Sequence, residues 1–115
     1  MTNAMNHFGY TIRNCGRTRV LLHHGGQRQH LEPDAVIGSY NLNTDDAAEA
    51  LIKLEYVALQ VVATVGSRRR NFDFDLVADE FGFRLIFSPE VAFEFHLTDP
   101  NPYKIILPGG VTLTA

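Results

Sequence analysis

Residues 72–97 read FDFDLVADEFGFRLIFSPEVAFEFHL, and this stretch decides the fold. Seven of the chain's eight phenylalanines lie within it. Phe72, Phe74 and Leu76 alternate with Asp73 and Asp75. Phe83, Leu85 and Phe87 alternate with Arg84 and Ser88. Val91, Phe93, Phe95 and Leu97 alternate with Glu94 and His96. A period of two places successive side chains on opposite faces of a strand. The segment therefore predicts three strands, near 72–77, 83–87 and 91–97, in a meander whose aromatic face is turned to the core. Pro89 has no N–H to give a ladder, so Ser88-Pro89-Glu90 is the turn between the last two. Residues 78–81 serve as the earlier loop. The alternative is a short helix from Asp75 to Phe81, capped by Gly82.

Loop length sets the register. With 88–90 as a loop, Phe87 faces Val91, Leu85 faces Phe93 and Arg84 faces Glu94. With 78–81 as a loop, Leu76 faces Phe83 and Asp75 faces Arg84. The outer face then carries a row Asp75–Arg84–Glu94, each cross-strand pair adding about 0.2–1 kcal/mol. Glu94 and His96 share that face. A carboxylate beside an imidazole can perform acid–base work or bind a metal. A catalytic pair also needs a pocket, and a solvated sheet face carries such residues without one.

Upstream, residues 45–65 predict one long helix, about 31 Å in length. Asn43 or Thr44 supplies the N-cap, and Asp45 and Asp46 favour the positive end of the dipole. Ala47, Leu51, Leu54, Ala58, Val61 and Val65 follow helical spacing on one face. Asp46, Glu49, Lys53, Tyr56, Gln60 and Thr64 form the opposite stripe, with Glu49 and Lys53 in the favourable i,i+4 order. Gly66 ends the helix, and Arg68, Arg69 and Arg70 follow it. A valine-rich strand at 57–65 is the rival, rejected because its residues do not alternate cleanly.

The first third predicts a hairpin of strands at 7–13 and 18–24 joined through Gly16. Gly25-Gly26 ends the second strand, 27–34 is loop, and 35–42 is a third strand weakened by Gly38 and Ser39. A terminal hairpin is expected from 104–107 and 111–114 around Pro108-Gly109-Gly110. At 115 residues the chain is expected to form a single domain, 1–115.

The net charge of −3 hides an asymmetry. Residues 1–31 carry Arg13, Arg17, Arg19 and Arg28 with no acid, whereas 32–65 carry six acids against Lys53 alone. The basic third either faces an anionic partner or pairs with the acidic middle of the same chain. Cys15 is the only cysteine, which excludes an intrachain disulfide and fits a reducing compartment. Nearby arginines can lower its pKa in an exposed turn. With no signal-peptide pattern and no long apolar run, the expected location is the cytoplasm.

No phosphate-loop, EF-hand, nucleophile-elbow, zincin or CxxC spacing occurs. His23 and His24 point to opposite faces of a strand, so with His30 they make no recognised metal set. No metal or cofactor is expected.

The fold class expected is α+β, an antiparallel sheet of about seven or eight short strands on or around one helix. The leading functional expectation is a small non-enzymatic, protein-binding accessory protein that self-associates as a homodimer through exposed strand edges. The alternative is a small enzyme or ligand carrier with an aromatic-lined cavity between sheet and helix. The third is nucleic-acid binding through the basic N-terminal third and Arg68, Arg69 and Arg70. The candidate binding residues are Asp75, Arg84, Glu94 and His96 on the outer sheet face, with those three arginines.

Overall fold

A computed structural model describes residues 7–66, 73–79, 81–98, 104–106 and 112–114. In chain order they form β1 (Gly9–Asn14), β2 (Val20–His24), β3 (Gln27–Leu31), β4 (Val36–Asn41), α1 (Ala47–Gly66), β5 (Asp75–Asp79), β6 (Gly82–Ile86), β7 (Ala92–Thr98), β8 (Lys104–Ile106) and β9 (Thr112–Thr114). Five strands make one sheet in the order β4-β1-β7-β6-β5, while β2–β3 and β8–β9 are separate hairpins. Each of these pairings is antiparallel. Seven strands and one helix pack together as an α+β fold. No helix of the described residues is long and apolar enough to cross a membrane.

The aromatic alternation explains the sheet's centre. Phe93 and Phe95 on β7 are sealed from solvent, with Ile12 of β1 on one side and Leu85 of β6 on the other. Ala50, Leu54, Ala58 and Val61 of α1 cover this face. Phe83 and Phe87 are partly buried against the same core. Phe74 is 39% exposed and leans on the Phe87 ring, and Phe81 lies edge-on to His96. Phe72 lies outside the described residues.

Four expectations need correction. First, β1 does not pair with β2. It lies between β4 and β7, and β2 pairs with β3. The Gly25-Gly26 turn is the cause: both glycines have positive φ, 58° and 76°, the geometry of a tight two-residue hairpin turn. The chain thus doubles back at once, and residues expected to be loop become β3. Its sequence, Gln27-Arg28-Gln29-His30-Leu31, has almost no apolar face to announce it.

Second, only two residues separate the paired Asp79 and Gly82. The β5–β6 register therefore shifts by two. Leu76 faces Leu85, Val77 faces Arg84, and Asp75 faces Ile86. Asp75 is not opposite Arg84. Gly82 also lets β6 lie close to β7, since a Cβ there would sit 1.9 Å from the Phe95 carbonyl oxygen.

Third, the N-cap of α1 is Asp46, whose Oδ1 accepts from the Ala48 and Glu49 amides at 2.9 and 3.4 Å. Thr44 instead accepts from the Asp46 amide. Fourth, the buried stripe is Ala50, Leu54, Ala58, Val61 and Val62. Ala47 is exposed and Leu51 is 38% exposed, so the stripe is rotated from the expected one. The Glu49–Lys53 pair forms as expected, at 3.4 Å.

Candidate functional site

The first surface is the outer face of the main sheet. Glu94 sits near its middle, and both carboxylate oxygens are taken: Oε1 by Arg13 Nε at 3.3 Å, Oε2 by Arg84 Nη2 at 3.2 Å. Register alone dictates this, because Glu94 is the cross-strand partner of Arg13 on β1 and of Arg84 on β6. Across the five strands the row reads Val36, Arg13, Glu94, Arg84, Val77. Arg84 and Glu94 thus meet as expected, Arg13 joins them, and Asp75 does not. His96 shares the face, but its ring packs on Phe81. Arg13 also reaches Asp34 at 3.4 Å, which leaves the cluster electrically balanced. Such a row pins the register of the sheet and offers no proton carrier.

The basic N-terminal third is partly neutralised within the chain, as one of its two readings expected. Arg19 pairs with Glu32 at 2.9 Å, and Arg13 pairs with Asp34 and Glu94. Arg68, Arg69 and Arg70 lie outside the described residues. Cys15 is half-buried beside the same row. Burial and then Glu94 push its thiol pKa up, against the weaker pull of Arg13 and Arg84. The arginines near Cys15 therefore do not lower its pKa below the ordinary value.

The second surface lies where the β2–β3 hairpin meets the C-terminal half of α1. Tyr10 of β1, His24 of β2 and Tyr40 of β4 form an aromatic cluster, with centroid separations from 4.6 to 5.7 Å. The Tyr10 hydroxyl and His24 Nε2 are 2.5 Å apart. Burial lowers the His24 pKa, and burial followed by Tyr40 pushes the Tyr10 phenol up to about 12. The phenol and the imidazole share this hydrogen bond, with donor and acceptor set by the imidazole tautomer. An open cavity of about 710 Å³ is lined by His23, His24, Arg28, Gln60 and Thr64 among others, and one of about 240 Å³ adjoins it at His23 and Thr64. Phe93 of β7 and the preceding Val91 line the smaller cavity together with Thr64 and Val65 of α1, while Phe95 is fully buried. Among the described residues, no group of three or more His, Cys, Asp or Glu could hold a metal ion.

The depressed His24 pKa has a testable sign. Unfolded His24 takes up a proton near its ordinary value of 6.5, whereas the folded imidazole resists it. Stability is thus full above pH 6.5 and falls as the pH drops through the folded value. The urea midpoint should fall between pH 8 and pH 5, and His24→Gln should show a smaller fall over the same range. An equal fall in both proteins would remove His24 as the source.

The third surface is the outer side of α1. Its buried stripe accounts for one face, yet Ile52, Tyr56 and Leu59 are 59%, 64% and 41% exposed. With the exposed Ala63 they follow i, i+4, i+7, i+11 spacing, a second apolar stripe opposite the first. A helix apolar on both sides is ordinarily covered on both sides. Sequence reasoning assigns only Tyr56 to the outer stripe. The spacing of Ile52 and Leu59 holds the signal, but the valines and leucines of the buried face mask it.

Among the described residues, these features define a small α+β protein whose helix packs one apolar stripe on the sheet and exposes a second. The chain matches no protein-family model, no curated protein and no solved structure.

Proposed function

We propose that this protein is a non-enzymatic binding module that docks a protein partner on the outer face of α1. The observation that carries this reading is the exposed stripe Ile52, Tyr56, Leu59. Single exposed apolar residues are ordinary, but a row of them in helical register marks an interaction surface. It suits recognition through anchors at helical spacing. The candidate acid–base pair supports it from the other side: Glu94 is held by two arginines, and the His96 ring packs on Phe81. The ligand-carrier reading rests on the cavities beside the β2–β3 hairpin, lined by His23, His24 and the exposed Arg28 among the described residues.

Ile52→Glu and Tyr56→Glu should fold normally, since exposed substitutions of this kind shift stability by about 0.5 kcal/mol or less. Proteins retained from an extract of the native host by the immobilised wild type should be released by either variant. Circular dichroism and thermal melts check the fold. If both variants retain what the wild type retains, α1 is not the docking face.

A further inference from the structure

The β2–β3 hairpin and the C-terminal half of α1 leave between them two adjoining cavities, of about 710 and 240 Å³, that share His23 and Thr64. Together they fall within the about 300–1,000 Å³ that small-molecule sites occupy. We propose that they form one binding site for a small monocarboxylate with an apolar body, a short fatty acid or an aryl carboxylate, separate from the docking face on α1.

The smaller cavity suits the body. Apart from the two shared residues, its wall is Val20, Leu21, Val65, Val91 and Phe93. An apolar cavity of about 150 Å³ holds a benzene ring, so 240 Å³ admits a ring or a short alkyl chain. The larger cavity supplies the polar end, where Arg28 and Gln60 are both exposed. His23, on the shared wall, is the cross-strand partner of Arg28, so the two stand on one face of the hairpin. The turn leaves the approach clear, since a Cβ on Gly25 or Gly26 would meet nothing within 4 Å.

Charge selects the anion. Among the described residues, no Asp or Glu lines either cavity. The ion pairs of those residues engage Arg13, Arg19, Lys53 and Arg84, and none engages Arg28. Its guanidinium can hold a carboxylate through two parallel N–H···O bonds, and one carboxylate balances its single charge. The same charge repels a cation.

The test is calorimetric titration of the full chain with octanoate and with octanol. Octanoate should bind one-to-one with a Kd of about 1 mM or below, the range open to a ligand of about ten heavy atoms. Octanol, which keeps the chain and lacks the charge, should bind about fivefold or more weakly. Arg28→Gln should weaken octanoate by about the same factor and leave octanol unchanged. Amide shifts on adding octanoate should move at His23, Arg28, Thr64 and Val91 and stay still along β5. No saturable binding, octanol bound as tightly as octanoate, or octanoate indifferent to Arg28→Gln overturns the proposal. So do shifts confined to Ile52, Tyr56 and Leu59, which would mean that the chain merely coats an apolar surface. Ile52→Glu tests the docking face and should leave octanoate binding intact, so either reading can fail without the other.

Discussion

Phe95→Ala should cost about 3–5 kcal/mol, the largest loss expected of any single truncation in this fold. Phe95 is fully buried on the central strand β7. Its cross-strand partners are Ile12 on β1 and Phe83 on β6, so truncation opens a hole between three strands and the helix above them. A domain of this kind has about 5–15 kcal/mol in total, so the variant keeps little reserve. The measurement is urea denaturation, read as a lower midpoint with an unchanged slope. Phe74→Ala is the control. It belongs to the same aromatic repeat but is 39% exposed and touches Phe87 at 6.2 Å between centroids. Its loss should cost only about 0.5–1.5 kcal/mol. Equal costs would mean that the core is not centred on β7.

Asn14→Ala comes next, at about 2–5 kcal/mol, although it removes little apolar surface. Asn14 is fully buried at the end of β1. Its Nδ2 donates to the Thr18 and Leu31 carbonyls, both at 2.9 Å, and its Oδ1 accepts from the Gly16 amide at 2.9 Å. One side chain therefore ties the exit of β1, the approach to β2 and the end of β3. Alanine leaves these three backbone groups without it, at about 1–3 kcal/mol for each that water cannot reach. Asn14→Asp should be as damaging, because it sets a carboxylate against two carbonyl oxygens. Amide hydrogen exchange should show β2 and β3 losing protection more than β6 and β7. Uniform loss across the chain would deny Asn14 this local role.

Elements announced by their own periodicity are legible in the amino-acid sequence. The aromatic repeat predicts β6 and β7, and the three-four spacing with Gly66 predicts α1. The pairing of Arg84 with Glu94 follows from the short Ser88-Pro89-Glu90 turn. The register of β5 does not follow, because it hangs on whether two or four residues close the turn before Gly82. That difference moves Asp75 away from Arg84 and brings Val77 in. Arg13 could not be placed beside Glu94, since 81 residues separate them and only the strand order β1-β7 joins them. The Gly25-Gly26 hairpin was readable from its turn chemistry. The polar run at 27–31 hid the returning strand.

The candidate surfaces divide the same way. Sequence by itself determined that one helix and a set of aromatic strands would form an α+β fold, because helical and strand periodicities are local. It also determined the four-three-four spacing of Ile52, Tyr56, Leu59 and Ala63. Tertiary structure alone decided which side of α1 is covered. That choice depends on which apolar stripe faces the sheet, and α1 carries two. The core took Ala50, Leu54, Ala58 and Val61, whose small side chains let the helix lie close on Phe93 and Phe95. The larger Ile52, Tyr56 and Leu59 were left outside, and the proposed docking face is the consequence.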